Sequence, residues 1–292
     1  MRMLARAKLN LHLCILAREA SGFHQLETIF CRLDLADELE VEAGGVGVRL
    51  QVAGPELGPP EQNLALRAAG AFLARAAIPT GATIALVKRI PAGAGLGGGS
   101  SDAAAVLLAL NRLHGQPLHL DELMELGATL GSDVPFFVAD VALALAWGRG
   151  ERLLPLEALP RAHVLLAVPP FAISTPDAYR RVAAAGRGAH GPTPRLHRIA
   201  EYRSWTSFAP HASNDFEAIL FPDHPRLPAL KRALRESGAF LALMTGSGSA
   251  VFGLFREPDD LHAAHDRLRR QFDDIAFLET CTDAGERADL LG

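Results

Sequence analysis

The sequence is poor in cysteine, and its cysteines follow none of the spacings that hold a metal. Cys14, Cys31 and Cys281 are odd in number and far apart, and no C-x-x-C pair occurs in the 292 residues. Such a set argues against a disulfide framework and against a cysteine-based zinc site. Reduced thiols are typical of a cytoplasmic protein, and we expect that location.

Two further absences narrow the class of protein. The formal net charge is -4, so the chain lacks the basic excess that usually accompanies broad nucleic-acid binding. No stretch reaches the roughly 18 uncharged apolar residues that a membrane helix requires. The apolar run at 9–17 is short and contains His12, which favours a buried strand over a secretory signal. We therefore expect neither a nucleic-acid partner nor a membrane partner.

Composition and element order predict the architecture. Apolar residues make up 49% of the chain and charged residues 21%, which is typical of a globular protein. Predicted strands and helices are mixed without strict alternation. This favours two α+β domains, 1–155 and 156–292, over a doubly wound parallel sheet. The strands predicted before residue 60 are separated by glycine, proline or acidic residues, and two of them are "LETIFCRLDL" at 26–35 and "DELEVEAG" at 37–44.

Three helix starts follow from capping patterns. Asn63 is the expected N-cap of a helix over 63–77. Another helix is predicted from about Ser101 to His114. A third begins at "STPDAYRR", with Thr175 as the expected cap and Pro176 at the first helical position. Residues 186–213 are rich in His, Gly, Pro and Arg, which predicts a long surface loop or a partly helical excursion.

Glycine is concentrated in "PAGAGLGGGSSDAAA", residues 91–105, where five glycines lie between Gly93 and Gly99. Glycine is entropically costly in any regular element. A predicted strand enters the stretch and a helix leaves it, which argues against a flexible linker. The glycines satisfy G-x-G-x-x-G, but that match alone is weak, and the motif lies far from the start of the chain. No lysine follows them, which excludes a Walker A loop.

The remaining role for this stretch is a phosphate cradle of another type. Glycines let backbone N–H groups converge on an anion, and the following helix adds its positive end. The two serines add hydroxyls, one of which is a candidate for a metal; ordinary capping is the alternative for both. The predicted nucleotide-binding residues are Pro91, Gly93, Gly95, Leu96, Gly97, Gly98, Gly99, Ser100 and Ser101, with Ser101 as the metal candidate.

Three segments, in order along nearly the whole chain, resemble the signature motifs of the GHMP kinases. They are "AKLNLHL" at 7–13, the glycine stretch at 91–105 and "MTGSGSAVFGLF" at 244–255. The resemblance implies a two-domain kinase fold with the active site in the cleft between the domains. It also implies ATP and Mg²⁺ as cofactors.

Four further segments are similar to one branch of that family. They are "AKLNLHLCILAREASGFHQLETIF" at 7–30, "GSDVPFFV" at 131–138, "GRGERLLPL" at 148–156 and "SNDFE" at 213–217. Members of this branch use ATP to phosphorylate a hydroxyl of a CDP-linked methylerythritol, on the non-mevalonate route to isoprenoid precursors. The resemblance implies a small-molecule CDP-linked acceptor, and we expect a monomer or a weak homodimer.

Lys8 and Asp133 are the catalytic candidates. Taken alone, Asp133 lies in a turn before an apolar run, which favours a helix cap, and a lone lysine is usually solvated. The resemblance instead implies that Asp133 is the base and that Lys8 is paired with it. A cation there stabilises a developing alkoxide and keeps the aspartate ionised.

The resemblance also implies the binding residues. Phe23 and Tyr179 are the expected aromatic walls for cytosine, beside His24, whose backbone reads the ring edge. Phe23 replaces a more usual tyrosine, so it keeps the stacking face and loses the hydroxyl. Core packing is the alternative for both aromatics. The other matched positions are Asn10, Thr28 and Thr175 for the acceptor pocket, Asn63 and Lys88 near the adenine, and Gly246, Ser247 and Gly248 for a loop over the phosphates.

Other functions stay open at this point. A different GHMP kinase, such as a homoserine kinase, would share the three signature motifs but not the segment around Phe23 and His24. A non-catalytic protein of the same fold would lose the Lys8–Asp133 pair, and both residues are present. A nicotinamide dehydrogenase is a more distant alternative.

Overall fold

The computed structural model describes residues 1–19, 24–55, 58–186 and 202–285. Its strands are β1 (Arg2–Arg18), β2 (His24–Ala43), β3 (Val48–Ala53), β4 (Ala82–Val87), β5 (Leu143–Gly148), β6 (Arg152–Leu156), β7 (His163–Val168), β8 (Ser213–Asn214), β9 (Leu241–Met244), β10 (Val251–Phe255) and β11 (Ala276–Cys281). Its α-helices are α1 (Leu64–Arg75), α2 (Gly98–Leu113), α3 (Leu120–Leu130), α4 (Val134–Val138), α5 (Thr175–Ala184), α6 (Trp205–Phe208), α7 (Asp215–Leu220), α8 (Arg226–Glu236) and α9 (Pro258–Gln271).

Two sheets organise the described part of the chain. In the first, strands run in the order β3-β4-β2-β1-β8, and β5 and β6 extend from the other half of β2. The long β1–β2 antiparallel pair is its centre. The second sheet has the order β11-β7-β10-β9 and is antiparallel throughout. Mixed sheets with helices confirm the α+β class; the division of the chain at residue 155 stays a prediction, because β8 from the second half pairs with β1.

Apolar side chains form a core on each side of the first sheet. Helices α1, α2 and α4 bury Phe72, Leu107 and Phe136 against one face. The opposite face, with Leu9 and Leu11 of β1, packs against the second sheet. Burying side chains of this size contributes about 1.5–3 kcal/mol each. The two cores therefore fix the relative position of the two sheets. They also fix the shape of the cleft between the sheets.

A bulge in β1 decides which side chains face that cleft. Met3 and Ala5 pack under the helices, whereas Leu9 and Leu11 pack against the second sheet. The pairing register with β2 shifts between Arg6 and Lys8. Because one extra residue reverses the alternation of a strand, Lys8 and Asn10, which lie between this register shift and the next, face the helix side of the sheet. Lys8 and Asn10 are consequently brought to the mouth of the glycine stretch.

Three local predictions differ from the structure. β2 runs unbroken through Asp37, because that buried carboxylate accepts hydrogen bonds from the backbone N–H groups of Arg89 and Ile90. Helix α2 begins at Gly98 rather than near Ser101, so both serines lie in its first turn. The N-cap of α5 is Ser174, which places Thr175 at the first helical position.

The predicted cap of α1 is confirmed. Asn63 caps α1, with its Oδ1 accepting a hydrogen bond from the Ala65 N–H at 2.9 Å. No helix in the described ranges combines the length and the apolar character that crossing a bilayer requires. The loop predicted over 186–213 lies partly outside the described residues, and its described end carries α6, a 3₁₀ turn at Ala209–His211 and the start of β8.

Candidate active site

A cavity of about 490 Å³ lies where the two sheets meet. Its walls come from β1, β2, the glycine stretch, the turn before α4, the start of α5 and the turn after β9. Most of the residues expected in the site line it: Lys8, Asn10, Thr28, Asn63, Lys88, Pro91, Gly93, Gly95, Leu96, Gly97, Gly98, Gly99, Ser100, Asp133, Thr175, Tyr179, Gly246 and Ser247. The fold thus brings together segments that are far apart in the sequence.

Three expected site residues do not line this cavity, and a fourth is not among the described residues. Ser101 is buried on the opposite side of α2, in a small pocket with Arg112 and Phe137, so its placement does not support a contact with a metal or phosphate. His24 lines a neighbouring cavity. Gly248 is not among the residues lining the main cavity; a Cβ there would meet Met244 Sδ at 2.9 Å. Phe23 lies outside the described residues.

The glycine stretch needs glycine for conformation and for close approach. Gly95 has φ +80°, and a Cβ on it would lie 2.3 Å from the carbonyl oxygen of Thr245. Gly97 has φ +73° and precedes the first residue of α2. L-amino acids with side chains rarely adopt such angles. Because the first N–H groups of a helix lack partners within it, the start of α2 presents donors to the cavity.

Lys8 is held rigidly at the floor of the cavity. Its side chain is only 4% exposed. Its Nζ donates to Asn10 Oδ1 at 2.6 Å and to the carbonyl oxygen of Gly95 at 3.0 Å. The same ammonium lies 3.4 Å from Asp133 Oδ2. Three oxygen neighbours hold the buried amino group in a fixed direction, as electrostatic stabilisation of a reacting oxygen requires.

Asp133 occupies the N-cap position of α4, but its side chain accepts no capping hydrogen bond. It is 31% exposed, and its carboxylate is directed toward Lys8 instead. Because capping works through such a bond, capping of α4 does not account for this carboxylate. The carboxylate therefore remains available to a molecule in the cavity.

Asn10 connects the floor of the cavity to Thr28 of β2 and to the turn that follows β9 of the second sheet. Asn10 Nδ2 donates to Thr28 Oγ1 at 2.8 Å. Thr245, fully buried, accepts from the Asn10 N–H at 3.1 Å and donates to Gly95 O at 3.3 Å. Thr245 received no role of its own from the sequence, although it lies within the recognised segment 244–255, directly before the first glycine of that segment. Its hydroxyl bonds both β1 and the glycine stretch, so it fixes the second sheet to both sides of the cavity.

The "SNDFE" segment explains the shape of the turn after β9. Asn214 Nδ2 donates to the carbonyl oxygens of Met244 and Gly246 at 2.7 and 2.8 Å. Glu217 Oε1 accepts from the Met244 N–H at 2.9 Å. The turn is thereby held against the cavity, where Ser247 Oγ lies 2.8 Å from Thr175 Oγ1. The side chains of Asn214 and Glu217 bond to backbone groups of the turn. For this reason their residue types alone did not indicate their role.

A second cavity of about 770 Å³ adjoins the first and shares Thr175, Tyr179, Ser132 and Arg149 with it. His24 and Tyr179 stack there, with ring centroids 5.0 Å apart and planes at 20°. The edge of Tyr179 rests on Phe216. From the sequence we expect Tyr179 and Phe23 as the two aromatic walls of the cytosine site. Among the described residues, the ring that stacks on Tyr179 is that of His24.

The charge around this second cavity is positive. Arg18, Arg149 and Arg180 line it, and sequence analysis had singled out none of them. Burial, together with the nearby Arg18 guanidinium, lowers the pKa of His24, so its imidazole is neutral at pH 7. Burial raises the pKa of the Tyr179 hydroxyl, which is protonated throughout the physiological range. His24 Nε2 is buried and has no hydrogen-bond partner among the described residues.

The fold and the paired cavities define a small-molecule kinase of the GHMP class. The N-terminal domain model of the GHMP kinases matches residues 63–141, and the C-terminal model matches residues 196–274. A crystal structure of a homoserine kinase from Cytophaga hutchinsonii covers 99% of this chain and 96% of its own length, with a TM-score of 0.68 at 16% identity. That likeness is one of fold alone.

Closer relatives narrow the class. The 4-diphosphocytidyl-2-C-methyl-D-erythritol kinase of Geobacter sulfurreducens is 41% identical over 268 residues, which cover 91% of this chain and 93% of that protein. The crystal structure of a 4-(cytidine 5'-diphospho)-2C-methyl-D-erythritol kinase superposes with a TM-score of 0.81 at 39% identity, covering 98% of this chain and all of the other. The chain belongs to the family of 4-diphosphocytidyl-2-C-methyl-D-erythritol kinases. This confirms the resemblance seen in the sequence, and a kinase of this family takes ATP as its phosphoryl donor.

Proposed function

We propose that this protein transfers the γ-phosphoryl group of ATP to a hydroxyl of 4-diphosphocytidyl-2-C-methyl-D-erythritol. The observation that carries the proposal is the Lys8–Asp133 pair, 3.4 Å apart, in the cavity that the glycine stretch also lines. Phosphoryl transfer depends mainly on positioning of the reactants and on electrostatic stabilisation. This arrangement can provide both. The names of the closely similar relatives support the acceptor.

In this proposal the triphosphate lies along the glycine stretch. The N–H groups at the start of α2 donate to its oxygens, and the positive end of the helix favours its charge. Mg²⁺ is usually held by phosphate oxygens and few protein ligands. This fits a site in which no group of three or more metal-binding side chains occurs among the described residues. Ser100, which lines the cavity, is the hydroxyl we assign to the ion in place of Ser101.

The acceptor hydroxyl is placed between Lys8 and Asp133. As its oxygen bonds to the γ-phosphorus, the bond from that phosphorus to the β,γ-bridging oxygen breaks and ADP leaves. The hydroxyl proton passes to Asp133, whose carboxylate is not used in capping. Lys8 stabilises the negative charge that develops on the attacking oxygen. A positioned acid–base group of this kind is worth roughly 10²–10⁴ in rate.

The second cavity is assigned to the CDP part of the acceptor. The His24–Tyr179 stack offers a flat apolar surface for cytosine. His24 lines this cavity, and its Nε2 has no hydrogen-bond partner among the described residues. Three arginines suit a diphosphate, although Arg149 and Arg180 also pair with Glu19 and Asp177. Because partly exposed pairs contribute little, an anionic ligand can displace those carboxylates.

An ATP-dependent assay with four alcohols tests the acceptor. We expect rapid phosphorylation of the CDP-linked methylerythritol and background rates with homoserine, mevalonate and galactose. The three simple alcohols carry no nucleobase for the His24–Tyr179 surface. Faster turnover of homoserine than of the CDP-linked compound would contradict the proposed acceptor and leave the broader GHMP kinase assignment standing.

Binding of CMP alone separates the nucleotide subsite from the catalytic centre. A ligand specific for the native state raises stability by roughly 2.7 kcal/mol at a hundredfold excess over its Kd, so CMP should raise the melting temperature by several degrees. We expect Tyr179→Ala to reduce this rise, since base–aromatic stacking is worth about 1–3 kcal/mol. Tyr179→Phe keeps the ring and should keep the rise. Equal CMP-induced shifts in the melting temperatures of wild type and Tyr179→Ala would mean that CMP does not bind in this cavity.

A further inference from the structure

Three ionisable side chains are buried beside the glycine stretch, and two of them, Lys88 and Asp102, also border the main cavity. Asp37 of β2 is fully buried, Asp102 of α2 is 2% exposed, and the side chain of Lys88, which follows β4, is 4% exposed. Lys88 Nζ donates to Asp37 Oδ2 and, at 2.8 Å, to Asp102 Oδ2. One ammonium is therefore shared by two carboxylates that come from different elements.

This network fixes the chain on both sides of the glycine stretch. Asp37 Oδ1 accepts from the Arg89 N–H at 2.5 Å and the Ile90 N–H at 2.8 Å, which hold the entry to the stretch. Asp102 lies in α2, just beyond the exit. A Cβ on Gly98 would lie 3.0 Å from Ile90 Cγ2 and 3.3 Å from Lys88 Nζ, so the network touches the first turn of the helix.

Stability alone is a poor account of the network. Buried ion pairs often contribute no more than apolar side chains of the same volume, because desolvation cancels most of their attraction. Here the charges do not balance, and Asp102 Oδ1 is buried without a hydrogen-bond partner among the described residues. Burial and the adjacent Asp37 raise the pKa of Asp102 to about 7, and this rise reflects the free-energy cost of keeping the buried carboxylate charged. What the network provides is geometry, because its hydrogen bonds hold the backbone before the glycine stretch and the start of α2 at a fixed separation.

We propose that Lys88, held between Asp37 and Asp102, is a positioning residue that sets the direction of the N–H groups at the start of α2 toward the phosphates of ATP. It acts on the triphosphate through the backbone, whereas the sequence resemblance implied a position near the adenine. The inference rests on the proposed function, because it takes the glycine stretch as the phosphate site.

Two substitutions of similar size at Asp102 test it. Asp102→Leu removes the acceptor for Lys88, and Asp102→Asn keeps an amide oxygen that accepts the same bond. Both leave Lys88 and Asp37 as a balanced pair, so we expect both to fold. Asp102→Ser, too short to reach Lys88, replaces Asp102→Leu if that variant does not fold.

Calorimetry with ATP, inorganic tripolyphosphate and adenosine is the readout. We expect Asp102→Leu to weaken the binding of ATP and of tripolyphosphate by about tenfold each and to leave the affinity for adenosine unchanged. Asp102→Asn should remain within about threefold of wild type for all three. The KM for ATP should rise with little change in kcat or in the KM of the acceptor, as expected when ground-state binding is lost. Glu122→Ala, which removes a partly exposed pair with Arg75, is the control and should change none of these values.

Two results would overturn the inference. One is unchanged tripolyphosphate affinity in a folded Asp102→Leu protein. The other is weakened adenosine binding with normal tripolyphosphate binding, which would mean that Lys88 acts on the adenine. These titrations contain no acceptor, so a wrong acceptor leaves them interpretable. Wild-type protein that binds neither ATP nor tripolyphosphate would reject the phosphate site itself and this inference with it.

Discussion

Asp133→Asn should lower the turnover number by about 10²-fold or more and leave the KM values for ATP and acceptor within a few-fold. The substitution keeps the shape of the side chain and removes the negative charge that lies 3.4 Å from Lys8 Nζ. Because this side chain caps no N–H group of α4, the folded state should lose little stability. Steady-state kinetics and a thermal melt on the same preparation measure both quantities.

The exposed Asp121, in the first turn of α3, provides a matched control. Asp121→Asn makes the same chemical change away from the cavity and should leave turnover unaltered. Lys8→Met should also be severely impaired, and the double variant should be little worse than the worse single variant, since the pair acts as a unit. A large drop in melting temperature with near-normal turnover in Asp133→Asn would mean that the residue is structural.

Gly95→Ala should weaken ATP binding by more than tenfold in a protein that still folds. The added Cβ would lie 2.3 Å from Thr245 O, so either the glycine stretch or the turn after β9 must move. Alanine is also strained at φ +80°. Displacement of the stretch misdirects the N–H groups at the start of α2. Calorimetry with a non-hydrolysable ATP analogue measures the loss.

Gly70→Ala is the control for this experiment. Gly70 lies within α1, and a Cβ there would meet nothing within 4 Å. The change should leave ATP affinity intact and add about 0.5–1 kcal/mol of stability, as alanine favours a helix over glycine. ATP affinity equal to wild type in a folded Gly95→Ala protein would contradict the role given to the glycine stretch.

Patterns that depend on a few neighbouring residues were predictable from the sequence. The Asn63 cap, the glycine-rich entry to a helix and the α+β class all rest on local chemistry, and the structure confirms them. The start of α2 was misplaced because glycine disfavours helices in isolation, whereas tertiary contacts override that propensity here. The Lys8–Asp133 pairing came from family resemblance rather than from physics, since 125 residues separate the two positions.

Features built from distant segments were not predictable. Asp37 looked like a strand boundary because its partners, Lys88, Arg89 and Ile90, lie some fifty residues away. The arginines around the second cavity come from β1, the β5–β6 turn and α5, and no sequence pattern links them. Such residues acquire their roles only from the packing of the sheets.

The parallel pairing of β8 with β1 has a consequence for synthesis of the chain. Ser213 hydrogen-bonds to His12 across 201 positions of sequence. At the usual translation rate of about 5–20 residues per second, β1 leaves the ribosome roughly 10–40 s before its partner is made. During that interval the edge of β1 at His12 and Leu13, the two residues that β8 covers, has no strand beside it, and unpaired edges attract other chains. Nascent chains of this protein should therefore be most prone to aggregation, and most in need of a chaperone, before residue 214 emerges.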